Sequence, residues 1–518
     1  MSKKQEQVET IRLILGDQLN STHSWLENVD DSVLYVMMEV RQETDYVEHH
    51  IQKIIGIFAA MRAFITALQK EGHRVRYIQL NDESNTQSIP ENLDKIISET
   101  KSVKFEYQSP DEYRLREQIR SWAVDLELKV TEVSSEHFMA EPNEFYALFK
   151  GKKTYLMETF YRSMRKKYDI LMEGDEPEGG KWNYDHNNRK KLPRDHAPNA
   201  PRLFKTDVSE IKKMIDDAGV SYIGNVDEKN YLWPINREQS LALLDHFVIA
   251  CLPLFGTFQD AMTDQYWSLY HSRLSFSINT KMLSPIEVIQ AVENVWDSSG
   301  EELEINQVEG FIRQILGWRE YMRCIYWLKM PEYAEMNVLN HKRKLPSFFW
   351  NGKTKMNCVS HAVKQSLDYA YAHHIQRLMV TGNFGLLAGI HPDEMDQWYL
   401  GIYIDAFEWV EMPNTRGMSQ YADGGIVGTK PYVSSANYMK KMGTYCDGCS
   451  YDHKDKVGGE NACPFNVLYW DFYDRHTDKL ERNPRIGMAY RTWNKMGAEK
   501  KAKILERAAS YLESINEL

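Results

Sequence analysis

Four cysteines near the C-terminal end have the types and spacing that speak most directly of chemistry. Cys446 and Cys449 form a C-x-x-C in TYCDGCSYD, Cys463 follows in ENACPFN, and Cys358 stands well upstream in KMNCVS. Six cysteines in 518 residues do not resemble a secreted disulfide scaffold. Four thiolates, one directly followed by proline, suit an iron–sulfur cluster better than a disulfide. Three close together and one distant would close a cage that staples two remote segments. Such a cage names no reaction.

Other stretches carry groups that could act on a ligand. In HSRLSFSINTKMLSP, from His271 to Pro285, Ser272 and Ser275 flank Leu274 just before an expected helix start. Hydroxyls and free backbone N–H groups at such a turn can hold a diphosphate, although helix capping alone accounts for the same residues. EGFIRQILGWREYMR, from Glu309 to Arg323, interleaves aromatic, Arg and Glu groups along one helix. His373 and His374 are adjacent. On a helix they would point about 100° apart, so they could not both face one ligand squarely. Aromatic residues make up 12% of the chain, with 13 Trp and 30 Tyr; most of them serve packing.

These groups need elements to position them. In the first 135 residues, IRLILGD, VLYVMMEV, HRVRYIQL, KFEYQS and LKVTEVSS read as buried strands. Helical stretches separate them, at roughly 47–71, 91–100 and 111–125. Alternation of this kind implies a doubly wound parallel sheet, which binds ligands at the carboxyl ends of its strands. No G-x-G-x-x-G occurs there, so a nicotinamide site is poorly supported.

Residues 136–200 form a connector. Basic helical text (Arg162, Arg165, Lys166, Lys167) leads into a long loop, DEPEGGKWNYDHNNRKKLPRDHAPNAP. Its Lys181, Trp182, Arg189, Lys190, Lys191 and Arg194 fit phosphate contact and a solvated surface equally well. Beyond it, helical periodicity recurs at 239–253, 285–297, 307–328, 359–381 and 393–410. The expected architecture is an α/β Rossmann-like domain over 1–135, the connector over 136–200, and a large α-helical domain over 201–518.

A net charge of −11 argues against general nucleic-acid affinity and leaves room for a local basic groove. The opening MSKKQEQVET is polar, and no run of about 18 apolar residues occurs. A soluble, cytoplasmic, monomeric protein with no membrane partner is expected.

Several of these motifs together resemble a known family. SRLSFSINTKMLSP is similar to the flavin-phosphate loop of the photolyase/cryptochrome family, FIRQILGWREY to its W-R-E-F/Y helix, and ILGDQLN to its first strand and turn. YAHHIQRLM (371–379), DQWYLGIYIDAFEWVEMPN (396–414) and the four cysteines resemble one branch, the bacterial iron–sulfur (6-4) photolyases and related cryptochromes. The resemblance runs over essentially the whole chain. One departure from the commoner helix is Gly317, an extra residue before Trp318.

The resemblance implies FAD bound in a bent conformation inside the helical domain. Ser272, Leu274 and Ser275 match its phosphate loop, Arg319 a flavin-side arginine, and Arg377 and Asp405 a buried ion pair beside the isoalloxazine. Glu411 matches the position facing the ring nitrogen that is protonated on reduction. His373, His374 and Tyr432 match the lesion pocket, with His374 as proton donor and His373 as its support. Trp350, Trp398 and Tyr399 match a photoreduction relay. A 6,7-dimethyl-8-ribityllumazine antenna would lie near Gly16, Asp17, Gln18, Met38, Glu43 and Tyr46. A [4Fe–4S] cluster would take Cys358, Cys446, Cys449 and Cys463, leaving Cys251 and Cys324 as buried thiols. The branch also responds to divalent cations, for which this sequence identifies no site.

The activity implied by the resemblance is light-dependent repair of (6-4) pyrimidine–pyrimidone photoproducts in UV-damaged DNA, with the lesion flipped into a pocket. HKRKLP (341–346), the KKLPR loop and Lys440–Lys441 would supply the basic groove. The alternatives are a cryptochrome-type blue-light photoreceptor, repair of cyclobutane pyrimidine dimers, and a non-photochemical iron–sulfur nucleic-acid protein. His373, His374 and Tyr432 favour repair. Cys358 stands fifteen residues before His373 in one helical stretch, and Cys446 fourteen after Tyr432. The cluster is therefore expected to be chiefly architectural, fastening both sides of the pocket.

Overall fold

The computed structural model describes residues 8–152 and 154–518. All five expected strands form: Thr10–Leu13 (β1), Val33–Met38 (β2), Val75–Ile78 (β3), Lys104–Gln108 (β4) and Lys129–Val133 (β5). They make one parallel sheet in the order β3-β2-β1-β4-β5. β2 is buried at every position, as a strand covered on both faces must be. The edge strand β5 is half-buried and carries Lys129 and Glu132. The strand order reverses between β1 and β4, so the chain after each of them leaves on opposite sides of one crevice. Gly16–Gln18 and Ser109–Asp111 sit there.

The connector is more ordered than its loop-like text suggests. It holds the helices Pro142–Phe149 and Met157–Tyr168, a short hairpin of Met172–Glu173 with Glu176–Pro177, and two single-turn helices. Two helical segments, Ile51–Lys70 and Arg237–Phe258, are long and apolar enough to cross a membrane by composition alone. Both are largely buried inside the protein, as core helices are.

Two expected helices are interrupted. The stretch 359–381 is a helix over Asn357–Tyr369, a break, and a second helix that begins at His374. Ala370 takes a left-handed φ of 52° and ends the first helix. The carbonyl of Ala370 then accepts from the N–H of Ile404, which fixes the break against the neighbouring chain. His373 is therefore not on a helix face. Likewise 393–410 is Pro392–Ile402 and Glu408–Met412, with Asp405 in the irregular link between them.

Candidate functional site

Three helices change pitch at the centre of the helical domain. Arg313–Arg319, Gln376–Gly382 and Pro413–Ser419 are π-helical turns. Each such turn accommodates an extra residue, and they concentrate at functional sites. The extra residue Gly317 lies inside the first. A Cβ there would come within 3.2 Å of Met157 Sδ and 3.3 Å of the Tyr161 ring, so a side chain would fit only if these neighbours gave way slightly. Gln314 turns back to the carbonyl of Gly310 at 2.9 Å.

The π turns bring the expected flavin residues into one network. Arg319 donates to Asn279 Oδ1 at 3.2 Å, and Asn279 donates to the carbonyl of Asp405 at 2.9 Å. Asp405 pairs with Arg377 at 3.0 Å. Arg319 is further held by Glu320 at 2.8 Å and by His137 at 2.9 Å, and lies over the rings of Phe138 and Trp409. Ser272, Leu274 and Ser275 form the turn before Asn279; a left-handed φ of 58° at Arg273 makes that turn, and Ser272 Oγ accepts from the N–H of Leu274.

Glu411 is buried, and Thr415 donates to its carboxyl. Burial, reinforced by the nearby charge of Asp396, holds its pKa well above the usual carboxylate range. Asp396 is itself buried and accepts from Arg416 at 2.7 Å. Burial raises it to about 7 against the pull of Arg416. Two buried carboxyls and one guanidinium thus share this wall.

The histidines are not a pair but a trio. The His271 ring lies parallel to that of His373, 4.5 Å away at 11°. His271 Nε2 donates to the carbonyl of Gln259 at 3.1 Å, which leaves Nδ1 as a bare acceptor. Nδ1 of His271 and of His373 are both buried without a hydrogen-bond partner. His374, the first residue of the next helix, is open to solvent. Desolvation by its neighbours, with the Arg377 charge, lowers its pKa to about 4. Burial and then His271 hold His373 well below 6.5. So the arrangement puts one accessible imidazole in front of two stacked, neutral ones. Tyr432 is half-buried in the electrostatic reach of Asp185 and Arg189 of the connector. Its loop is clamped to the helix that begins at His374 through Asn383 and Ser434.

The three expected relay aromatics run outward. Tyr399 donates to the carbonyl of Arg377 at 2.6 Å. Trp398 stands 5.2 Å from Tyr399, edge to face, and donates to the carbonyl of Phe349 at 3.0 Å. Trp350, next to Phe349, is 41% exposed.

In the α/β domain, Asp17 and Asp111 reach across the crevice to Lys281 at 3.0 and 2.6 Å. Lys281 comes just after the serine turn, so this triad docks the serine-turn region on the sheet. Gln18 accepts from Leu15 N and donates to the carbonyl of Gln108. Glu43 takes two hydrogen bonds from Arg114 at 2.8 Å, and Arg114 lies 3.9 Å over the Tyr46 ring. Tyr46 meets His49 edge to face. Beside these, Gln108 Oε1, Arg114 Nε and His49 Nδ1 are buried without partners. Gly16 packs against Ile57 and Met61, and Met38 ends β2 below Asn92. A separate cavity of about 550 Å³ opens beyond β4 and β5, lined by Asp111, Arg116, Glu132, Phe138, Arg323 and Trp327 among others. None of the six expected antenna residues lines it.

Cys358, Cys446, Cys449 and Cys463 line one pocket, together with Tyr445, His453 and Phe465. All six cysteines are free thiols. Among the described residues, no three His, Cys, Asp or Glu side chains group closely enough to hold a single metal ion. Burial raises Cys446 to about 11 and Cys463 to about 12. Asp447, between the paired cysteines, is gripped by Arg194 at 2.6 Å and by Lys440, which draws the connector loop and Lys440 to the cysteine segment. HKRKLP lies elsewhere, against the chain around Gly389 and beside Arg475, with His341 buried on His476.

Sequence reasoning missed His271, Asn279, Lys281 and Asp396. Asn279 and Lys281 stand inside SFSINTK, a motif whose hydroxyls carry its more obvious chemistry. The signal of all four is contact across the chain, which spacing does not carry.

Comparison with known proteins adds four findings. Residues 12–231 match the family described as deoxyribodipyrimidine photo-lyase-related protein. The chain is 42% identical over 508 residues to a (6-4) photolyase of Agrobacterium fabrum, covering 97% of this chain and 99% of that protein. In fold it is similar to a bacterial class III photolyase from Agrobacterium tumefaciens, with a TM-score of 0.58 at 15% identity over 99% of both chains. A Synechocystis cryptochrome gives a TM-score of 0.56 at 11% identity, covering 96% of this chain and 99% of that one.

Proposed function

We propose, for a chain that belongs to the photolyase/cryptochrome family, that it is an enzyme of light-driven DNA repair, a (6-4) photolyase acting on UV-damaged DNA. The observation that carries this reading is the histidine trio: an accessible His374, which opens the helix bearing Arg377, next in the chain to His373, whose ring stacks on His271.

The buried residues fit FAD. Trp409 Nε1 and Nδ1 of His271 and His373 are unpartnered polar atoms around the Arg319–Asn279–Asp405–Arg377 network, and the serine turn opens a helix whose first N–H groups need acceptors. Ser272, Leu274 and Ser275 would hold the diphosphate, Arg377 and Asp405 the ring. When bound and reduced, FAD supplies an electron to the lesion on illumination and takes it back. Glu411, whose burial favours the protonated carboxyl, could hold or release a proton at its Oε atoms. Tyr399, Trp398 and Trp350 give a path from the buried site to the surface. Gln18, Glu43, Tyr46, His49, Gln108 and Arg114 fit a lumazine antenna, since three of them present unpartnered buried polar atoms. The four pocket cysteines fit a cluster larger than one ion, a [4Fe–4S] centre.

His374 alone of the trio can meet a flipped base. Its pKa of about 4 in the free protein means that it is neutral at pH 7. An anionic phosphate brought beside it raises that pKa, so the donor is charged by its own substrate. The imidazolium then gives its proton to the transferred hydroxyl of the lesion. Lys190, Lys191, Arg194 and Lys440 lie on the connector side and favour the DNA backbone.

The test is direct. The reduced protein is illuminated with oligonucleotides carrying a (6-4) photoproduct or a cyclobutane dimer, and restored thymines are measured. Repair of the (6-4) lesion is expected, with His374→Ala inactive and still flavin-bound. Repair of neither lesion would replace this reading with a photoreceptor.

A further inference from the structure

We infer that Gln376 and Tyr445 are positioning residues that tie the lesion-facing histidines to the four-cysteine pocket. The inference rests on the (6-4) photolyase reading. Its starting point is the helix break at 370–373. His373 stands at the helix entry, where its own N–H has no helical partner. The side chain of Gln376 supplies one: His373 N–H donates to Gln376 Oε1 at 3.1 Å. On its own this is half of a capping box.

The other end of the amide makes it more than a cap. Gln376 Nε2 donates to Tyr445 OH at 3.0 Å. Tyr445 lines the cysteine pocket and precedes Cys446 in the chain. Gln376 also exchanges two hydrogen bonds of 3.1 Å with Gln365, which stands on the helix Asn357–Tyr369 that carries Cys358. Gln365 in turn donates to the carbonyls of Tyr371 and Trp267. Both arms from Gln376 therefore end on cysteine-bearing segments. Gln376 is 2% exposed and Tyr445 1%. With acceptor and donors all engaged, the amide has one orientation. A shift of Cys446 or Cys358 moves Tyr445 or Gln365, hence Gln376, hence the backbone of His373 beside His374. Filling the pocket thereby sets the histidine geometry without any electron passing between them.

Three variants test this: Tyr445→Phe, Gln376→Met and the double variant. Tyr445→Phe removes one oxygen, and Gln376→Met removes the amide at nearly constant volume. The expected result is wild-type flavin and cluster absorbance, a wild-type rate of light-driven flavin reduction, and unchanged KM for lesion DNA. Turnover falls about tenfold, as small misplacements of reacting groups do, and the pH profile of repair shifts. The double variant loses no more than the single ones, since both cut one chain. Wild-type turnover and pH profile in Gln376→Met, which touches no cysteine, would overturn the inference, and so would additive losses. A readout independent of repair is the ¹⁵N-histidine NMR chemical shift of His373. It moves in Tyr445→Phe if the link holds, even in a protein that repairs neither lesion; an unmoved resonance counts against the link alone.

Discussion

The rings of His271 and His373 stack in parallel, 4.5 Å between centroids and 11° between planes. One comes from the turn before the serine loop and the other from the helix break, so the stack joins two segments 102 positions apart in sequence. Both rings present a buried Nδ1 without a partner, and burial keeps both neutral. Two imidazolium ions could not share that contact. The pair therefore admits at most one proton, and only while something anionic stands in front of it.

The first prediction concerns acid. Burial lowers His271 to about 4, below its unfolded value of about 6.5. The unfolded chain takes up this proton first, so stability present above pH 6.5 is lost as pH falls toward 4, by up to about 1.4 kcal/mol per unit. Asp396 and Glu408, each raised to about 7 by burial, act in the opposite direction, so the total curve mixes both. The difference between His271→Asn and the parent isolates the histidine. Urea midpoints measured at pH 7 and pH 4.5 should show a gap that narrows on acidification; a constant gap speaks against a buried neutral His271.

The second concerns the docking of the domains. Lys281 is 1% exposed at its side chain and neutralises Asp17 and Asp111, which come from opposite sides of the sheet crevice. Removing one partner of a buried ion group costs about 3–5 kcal/mol because the remaining charge is stranded. Lys281→Met should lower the unfolding free energy by that amount and expose the connector to limited proteolysis. Unchanged stability and cleavage would mean that the triad is open to water.

Much of this architecture is legible in the sequence, and the exceptions have physical causes. Strand β2 is a continuous apolar run, as a parallel strand covered on both faces is, and the other four mix apolar with polar residues but keep the β-branched and aromatic types of strands. The four cysteines reach one pocket because the protein folds 358 and 446–463 together, as their number suggests. The helix breaks at 370–373 and 403–407 are invisible in the sequence because no Gly or Pro marks them; Ala370 takes a left-handed conformation that Ile404 N–H secures from another segment. For the same reason His373 and His374 look like helix neighbours in the sequence, although only His374 is helical. Gly317 shows the reverse case. An extra residue in a motif is readable, and the π turn is its structural expression.

The third prediction concerns the aromatic path. Trp398 lies between buried Tyr399 and the Phe349–Trp350 corner, 5.2 Å from the Tyr399 ring. Trp398→Phe keeps an aromatic ring and removes the oxidisable indole. Flavin content should be unchanged, while light-driven reduction with an external reductant slows by about tenfold or more, equivalent to a barrier increase of roughly 1.4 kcal/mol. Reduction at the parent rate would place the path elsewhere.

The fourth concerns the cysteine pocket. Between the helices Ala436–Met442 and Pro464–Arg475 the chain has no helix or strand of its own. It is held by scattered contacts, such as Asp452 N to Asn461 O and Cys463 N to Asp452 O. A segment so poor in backbone hydrogen bonds needs another tether, and Cys358 on the facing wall offers it. Cys446→Ser should therefore do more than remove one ligand. The segment loosens, Tyr445 moves with it, and the helix carrying Arg377 loses a wall. The expected product is insoluble or flavin-free protein, read from the soluble yield and the flavin-to-protein absorbance ratio. A soluble Cys446→Ser variant with full flavin and full repair would show that the pocket is not architectural.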